Sequence, residues 1–163
     1  MKKNMLVVAL ALLAGHAGLF AQDRDKVITL PEIRVTSISL AAPKVSDAFR
    51  KAFPDAENLS WYKYDREYLA KFLAKDMEHN ALFRQNGYMK YDISYGYEKN
   101  VPEETKKLVT DSYDNYNIIR AINIKAEGRD IWIVKMEGMK KYITIRVENN
   151  EMDEVESFYK TED

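Results

Sequence analysis

The fold is decided by two stretches in the first half of the chain, LSWYKYDREYLAKFLA at residues 59–74 and HNALFRQNGYMKYDISY at residues 79–95. Apolar and polar residues alternate through both, which is the period of a half-buried β-strand. Asp65-Arg66 and Gln85-Asn86-Gly87 interrupt the alternation, and an Asn-Gly pair favours the positive φ angles of a tight hairpin turn. We therefore predict four antiparallel strands, at residues 59–64, 67–74, 79–84 and 88–95.

A short amphipathic helix precedes these strands. Its apolar residues recur at intervals of three and four positions and are Val45, Ala48, Phe49, Ala52 and Phe53. Pro54 follows directly, and proline ends a helix because it lacks the amide hydrogen that the helix needs. Upstream, Val27–Leu30 and Ile33–Ile38 contain β-branched residues that could pair at a sheet edge, although Pro31 and Pro43 interrupt this lead-in.

The same order of elements follows in the second half. Val101-Pro102-Glu103-Glu104 places a proline in the first helical turn and two acids near the positive end of the helix dipole. Strands are predicted at residues 118–124, 131–136, 141–147 and 152–159. Phe53 precedes Trp61 by eight positions, as Tyr113 precedes Ala121. An internal duplication explains this spacing economically.

The predicted fold is therefore α+β, with two tandem units of one helix and a four-stranded antiparallel sheet, and with the helices packed on one face of the sheet. The predicted divisions are a signal peptide at 1–21, a lead-in segment at 22–43, a first repeat at 44–98 and a second repeat with an acidic tail at 99–163. Seven residues are predicted to be largely buried, namely Phe49, Phe53, Trp61, Phe72, Ile122, Trp132 and Ile143.

The first residues have the layout of a secretory signal peptide. Lys2 and Lys3 precede the apolar run Met5–Ala14, and small residues lead to a predicted cleavage site after Ala21. The apolar run is shorter than the roughly 20 residues that a membrane-spanning helix requires. The sequence therefore predicts an exported protein, periplasmic or secreted, with no membrane attachment after cleavage.

The charge balance argues against a nucleic-acid partner. Removal of Lys2 and Lys3 leaves 23 basic against 26 acidic residues, a balance of −3, whereas nucleic-acid binders carry a basic excess. The acids concentrate between Glu148 and Asp163. We interpret this segment as a solvated last strand and tail, with a cation site or a basic partner as the alternative.

A family resemblance rests on residues of the first repeat. Phe49-Arg50-Lys51-Ala52-Phe53-Pro54, then Trp61, then Tyr68-Leu69-Ala70-Lys71-Phe72, Ala81-Leu82-Phe83, the Gly87 turn and Val101-Pro102 resemble the PepSY-like family of exported, β-lactamase-inhibitor-like proteins. The resemblance covers about Lys44 to Tyr159 and implies a tandem helix-plus-sheet fold without known catalytic residues. The second half departs from the pattern, since Ala121 replaces the tryptophan and no Phe-Pro follows its helix.

The residues that catalysis requires are scarce. The chain has no cysteine, and beyond the signal peptide its single histidine is His79, predicted to lie in an exposed turn. A serine triad would need that imidazole together with a Gly-x-Ser-x-Gly elbow, which is missing. Zinc prefers several Cys or His ligands, and no calcium-loop spacing is present. We therefore predict a non-enzymatic protein with no metal site and no cofactor.

Aromatic residues supply the candidate binding site. Trp61, Phe72 and their helix partners are assigned to the covered side of the sheet, which leaves alternate residues on the other face. The predicted binding residues on that face are Tyr62, Tyr64, Leu69, Leu73 and Tyr88. An apolar face open to water usually binds a partner. The alternative is that this face packs on residues 23–43 or on the other repeat.

Three functions remain open at this point. The preferred one is a binding module of the cell envelope whose open aromatic sheet face holds a protein or peptide. The second is an inhibitor of a protease or hydrolase that presents a projecting turn. The third is an enzyme or a carrier of a small ligand with a pocket between the repeats, which an enclosed cavity with converging polar groups would favour.

Overall fold

The structure is a computed structural model that describes residues 35–161, and over this range the chain forms two α-helices and nine strands. The first half contains β1 (Val35–Ile38), α1 (Pro43–Ala52), β2 (Glu57–Tyr64), β3 (Glu67–Ala74), β4 (Met77–Arg84) and β5 (Met89–Gly96). A short 3₁₀ helix at Glu98–Asn100 leads to the second half. That half contains α2 (Glu103–Ser112), β6 (Asn117–Ala126), β7 (Arg129–Glu137), β8 (Lys141–Glu148) and β9 (Glu151–Tyr159).

The strands form a single antiparallel sheet in sequence order, from β1 at one edge to β9 at the other. This confirms the predicted α+β class, and each helix is followed by four strands as the sequence indicated. The two halves share one sheet because β5 pairs with β6 from Tyr91–Ala126 to Gly96–Ala121. The repeat boundaries at 44–98 and 99–163 stay predictions, and the signal peptide and Val27–Leu30 lie outside the described residues.

Each helix forms where the sequence predicted. Helix α1 begins at Pro43, which the sequence analysis had assigned to the lead-in, and it ends at Ala52; the amide of the capping residue Phe53 donates to the carbonyl of Phe49. Helix α2 has Glu103 and Glu104 in its first turn, where acidic side chains stabilise the helix dipole. Both are short helices of ten residues, so packing against the sheet supplies most of their stability.

Two hydrophobic clusters hold the helices to the sheet. The cluster under α1 is aromatic and centres on Phe49, whose ring meets those of Trp61, Phe72 and Phe83 edge to face. The cluster under α2 is aliphatic and is built from Val109, Ile118, Val134, Met136, Ile143, Ile145 and Val147. Aromatic edge-to-face contacts add to the burial energy, so the first half has the more specifically packed core.

The burial predictions are confirmed for Phe49, Trp61, Phe72 and Ile143, which are each at most 5 % exposed. Phe53, Ile122 and Trp132 are less buried than predicted and have intermediate exposure, although Phe53 and Trp132 still pack against the two clusters. Phe53 is the C-terminal capping residue of α1, and both Phe53 and Trp132 line a cavity. Ile122 points away from the helices, because its neighbour Ala121 faces them.

Tight turns set the strand register. Lys75 and Asp76 both have positive φ angles, as do Asn149 and Asn150, which is the conformation of a two-residue type I′ hairpin turn. The Lys75–Asp76 turn lets β4 begin at Met77, so His79 lies inside a strand. The predicted exposed turn around His79 is therefore wrong, because two non-glycine residues close the hairpin and leave no loop.

Candidate functional site

Both helices pack on the same face of the sheet. The strand register pairs Ala81 with Asp92, and Asp92 with Lys125, so these three side chains point to the same side of the sheet. Helix α1 covers Ala81, which identifies this side as the one that α1 packs on. Ala121 lies four residues from Lys125 along β6, so it points to that side as well. It faces Val134, which α2 covers. Within residues 35–161, no element covers the other face. We call it the open face.

The open face has an apolar centre. Two register rows cross the junction of the two halves, with Ile93 opposite Ile124 and Ile131 in one row and Tyr95 opposite Ile122 and Ile133 in the next. Leu82 and Tyr91 extend this surface toward β3. Apart from buried Leu82 and exposed Tyr95, these side chains are half-buried. We call these eight residues the central patch.

The residues predicted from sequence lie to one side of the central patch. Tyr62 is opposite Leu69 across β2 and β3, and both are half-buried on the open face. Tyr64 follows on β2 and is opposite Val35 of the edge strand. Leu73 is on the same face of β3 and is 37 % exposed. The structure therefore brings these four residues together on one face.

Tyr88 differs from the other predicted residues because it lies in the turn between β4 and β5, outside the strands. Its side chain is 49 % exposed, and the guanidinium of Arg84 lies 5.2 Å from its ring centre. This position places it at the end of the sheet. Strand β5 begins one residue later, at Met89, because Leu82 and Phe83 pair with Tyr91 and Met89 through a bulge.

The isoleucine rows were missed by the sequence reasoning, which assigned Ile122 to the core. Alternation was the available signal, since β6 reads Ala121, Ile122, Asn123, Ile124 and places its small and polar residues on the helix side. Large apolar residues are normally expected under a helix. Here the helix side of the junction is polar, so the usual assignment fails at this point.

The sequence left two elements that could cover the open face, residues 23–43 and the other repeat. The second half lies beside the first in one sheet and does not fold over it. Strand β1 pairs along the edge of β2, and Ala41 after it packs under α1. The remaining lead-in residues lie outside the described part of the chain.

Several charged groups border the open face. Lys71 places its ammonium 5.4 Å from the ring centre of Tyr62, and Lys90 bonds to Glu67 at 2.8 Å. Burial raises the pKa of the Tyr91 phenol above its usual value of 10.0. Tyr91 therefore keeps its proton at neutral pH and offers a hydroxyl donor beside the isoleucines. The face can combine apolar contact with hydrogen bonding at its rim.

A polar pair lies on the opposite, helix-covered face. The Nδ1 atom of His79 lies 3.0 and 3.1 Å from the two carboxylate oxygens of Asp92, which is 4 % exposed. The imidazole stacks on Phe72 at 4.9 Å. Its Nε2 atom is buried and has no hydrogen-bond partner within residues 35–161. Such a buried unsatisfied atom costs about 1–3 kcal/mol.

The arrangement does not form a serine triad. Ser94 is directly opposite His79 across β4 and β5. In a triad, Nε2 would bond to the serine hydroxyl, yet the Nε2 atom of His79 bonds to no described residue. The pair therefore has the acid and the base of a triad without a nucleophile in contact.

Comparison with known proteins adds information on the fold. No family model matches the sequence, and no curated protein matches it. Three solved structures, all from Bacteroides species, are similar: a BLIP-like protein from Bacteroides fragilis, a DUF2874 family protein from Bacteroides uniformis and a candidate periplasmic protein from Bacteroides eggerthii. The fold is BLIP-like.

The similarity to these structures is confined to the fold. The BLIP-like protein superposes with a TM-score of 0.55 at 17 % identity, over 72 % of this chain and 89 % of its own. The DUF2874 protein superposes with a TM-score of 0.52 at 14 % identity, over 74 % of this chain and 90 % of its own. The B. eggerthii protein superposes with a TM-score of 0.52 at 14 % identity, over 74 % of this chain and 89 % of its own. The predicted membership of the PepSY-like family stays a prediction.

No helix within the described range of the chain is long and apolar enough to cross a bilayer. The described part also contains no group of three or more His, Asp or Glu side chains that could hold a metal ion.

Proposed function

We propose that this chain is an exported, non-enzymatic binding protein of the cell envelope that holds a protein or peptide on its open face. One observation carries the proposal: within residues 35–161 both helices lie on one side of the sheet, and the central patch on the other side stays uncovered. Exposed apolar patches of this kind usually mark interaction sites.

The composition of the open face suits a macromolecular partner. The isoleucine rows supply a flat apolar centre, and Tyr62, Tyr91 and Tyr95 add rings that contact a partner while their hydroxyls stay hydrated without one. Lys71 and the Lys90–Glu67 pair form a charged rim. An apolar centre with a polar rim is the usual anatomy of a protein interface.

The location is part of the same proposal. The predicted signal peptide at residues 1–21 would deliver the chain to the envelope. One solved structure of this fold is described as a candidate periplasmic protein, which agrees with that location.

Inhibition of an enzyme is the second candidate function. It is favoured by the description of one structure of this fold as BLIP-like. A projecting turn is less suited to entering an enzyme cleft, because contacts with the 3₁₀ helix hold the Lys75–Asp76 turn in place. Asn100 donates to the carbonyl oxygen of Lys75, and Lys99 pairs with Asp76 at 3.0 Å. An inhibitor of this kind would use the open face.

The test compares two parts of the open face. The Ile122→Thr, Ile133→Thr double variant removes apolar surface from the central patch and keeps β-branched residues in both strands. The Tyr62→Ser, Tyr64→Ser double variant changes the side near the edge. Lys107→Ser, on the exposed surface of α2, is the control. Each protein, without residues 1–21, is coupled to beads and exposed to envelope extract.

We expect both open-face variants to stay folded, by circular dichroism, and to lose the partner that the Lys107→Ser control retains. If only the isoleucine variant loses it, the site is the central patch and the tyrosines are peripheral. Retention of the partner by both open-face variants would refute the proposal. If the tyrosine variant unfolds, those tyrosines are core residues, and the isoleucine double variant alone tests the proposed binding site.

A further inference from the structure

A cavity of about 630 Å³ lies on the helix-covered face, opposite the proposed partner site. Its floor is the junction of the two halves, where Asp92, Ser94 and Asn123 are at most 5 % exposed. The end of α1, the Lys75–Asp76 turn and the 3₁₀ helix at Glu98–Asn100 form its walls. The volume falls within the range of small-molecule sites.

The walls of this cavity are apolar on two sides. Phe53 and Met77 line it from the first half, and Trp132 lines it from β7. Phe53 and Trp132 are both only half-buried, although each was predicted to be a core residue. A large aromatic side chain that borders an empty space offers contact area to a ligand.

The rim of the cavity is predominantly basic. Lys75, Lys99 and Lys125 line it, whereas its carboxylates are Asp55 and Asp92, and Asp92 is engaged by His79. Lys99 and Lys125 form pairs with Asp76 and Asp130 whose side chains are more than half exposed. Exposed ion pairs of this kind are weak, so these ammonium groups remain available to an anionic ligand.

The floor contains a hydrogen-bonding group that the chain leaves unused. The Nδ1 atom of His79 is engaged by the carboxylate of Asp92, whose two oxygens lie 3.0 and 3.1 Å away. The buried Nε2 atom has no partner in the described residues. Buried polar groups are almost always hydrogen-bonded to protein, water or ligand. The Nε2 atom of His79 can therefore accommodate a further polar group at the floor of the cavity.

We propose that the cavity binds a small organic anion with an apolar body, of the class of aromatic or aliphatic carboxylates. The apolar body lies between Phe53, Met77 and Trp132, and the carboxylate is held by the rim lysines. This site is separate from the open face, so the protein has a macromolecular surface on one side of its sheet and a small-molecule site on the other.

Nuclear magnetic resonance tests the site directly, because its reporters are unique. His79 is the single histidine outside residues 1–21, and the two tryptophans are Trp132 at the cavity and Trp61 in the core under α1. The protein without residues 1–21 is titrated with 1-naphthoate. The neutral amide, 1-naphthamide, and the cation 1-naphthylmethylammonium are titrated in parallel.

We expect 1-naphthoate to shift the ring signals of His79 and the indole signal of Trp132 while Trp61 stays unchanged, and to bind more tightly than the amide or the cation. Lys75→Gln and Lys125→Gln are each expected to weaken binding about two- to fivefold, the scale of one exposed ion pair. Lys135→Gln is the matched control, since this exposed lysine does not line the cavity.

Three results would overturn the proposal. The first is a shift confined to open-face signals, which would place the naphthyl group on the central patch. The second is equal affinity for the carboxylate and its neutral amide, which would show that the rim lysines do not hold the carboxylate. The third is unchanged affinity in both cavity-lysine variants. All three variants replace exposed lysines, so loss of folding does not confuse the outcome.

Discussion

Ile93 and Ile124 lie directly opposite each other across β5 and β6 and join the two halves of the sheet. Six residue pairs form this junction, from Tyr91–Ala126 to Gly96–Ala121. Separation of the halves would leave two long strand edges without hydrogen-bond partners, which is unfavourable in water and promotes aggregation. We therefore expect the two halves of the sheet to behave as one cooperative structure.

The first prediction is that both halves unfold in a single transition. Each half contains one tryptophan, Trp61 in β2 and Trp132 in β7, so fluorescence can follow each half separately. We expect Trp61→Phe and Trp132→Phe variants to give denaturant transitions that coincide with the transition seen by circular dichroism in the same variant. Separate transitions for fluorescence and circular dichroism would show independent domains.

The second prediction concerns the aromatic core under α1. Phe49 is 3 % exposed and its ring contacts those of Phe53, Trp61, Phe72 and Phe83. We expect Phe49→Ala or Trp61→Ala to lower the free energy of unfolding by about 3–5 kcal/mol, the usual cost of truncating a large aromatic core residue.

Phe53→Ala is the comparison for this core, because Phe53 is half-buried at the cavity. We expect a clearly smaller loss in urea denaturation. An equal loss for Phe49→Ala and Phe53→Ala would mean that the end of α1 packs more tightly than its exposure indicates.

The third prediction separates backbone strain from steric contact at two glycines. Gly87 and Gly128 both have positive φ angles, 89° and 78°. A Cβ atom on Gly87 would lie 2.8 Å from the carbonyl oxygen of Lys44 in α1, whereas one on Gly128 would meet nothing within 4 Å. We expect Gly128→Ala to cost about 1–2 kcal/mol from the left-handed backbone alone.

Gly87→Ala should cost more than Gly128→Ala, because the turn must also move away from the helix. Thermal unfolding of the two variants measures the difference. Equal losses would show that the turn between β4 and β5 moves freely and does not hold α1 against the sheet.

The fourth prediction is a pH effect at Glu148. Its pKa is lowered from 4.5, first by the hydrogen bond from Arg129 and also by the charges of Arg129 and Arg146. A carboxyl whose pKa is lower in the folded state stabilises the fold above its unfolded pKa, and it loses that contribution as the pH falls through its folded pKa. We therefore expect wild type to exceed Glu148→Gln in stability at pH 7.

The gap in stability between wild type and Glu148→Gln should close as the pH falls below 4.5, the ordinary pKa of the glutamate carboxyl. Urea midpoints across this range provide the measurement, with Glu151→Gln at the exposed start of β9 as the control. A gap that persists in strong acid would show that Glu148 acts through packing and not through its charge.

The secondary structure could be predicted from the sequence because it depends on local patterns. Alternation of apolar and polar residues placed every strand from β2 to β9. Apolar residues three and four apart, followed by Pro54, placed α1, and Pro102 with two acids placed α2. The exception is the start of β4, where Lys75 and Asp76 form a turn with positive φ angles, a conformation that lysine rarely adopts. His79 was consequently assigned to an exposed turn.

The candidate site could be predicted only in part. Alternation placed Tyr62, Tyr64, Leu69 and Leu73 on the same face, as the structure shows, whereas Tyr88 lies in a turn. The isoleucine rows were not recognised as a surface, because Ile122 and Trp132 look equally suited to a core. Trp132 pairs with Asn123 and so lies on the helix side, whereas Ile122 lies on the open face, and this pairing is set by the register between β6 and β7.

The sequence by itself determined the α+β class, the order of helices and strands and the scarcity of catalytic side chains, because these follow from local periodicity and residue type. Only the tertiary structure decided that the halves join through Ile93 and Ile124 into one sheet. That junction leaves the isoleucines half-buried on the open face and brings His79, Asp92 and Trp132 around one cavity. The physical reason is that strand pairing and helix packing join residues far apart in the chain.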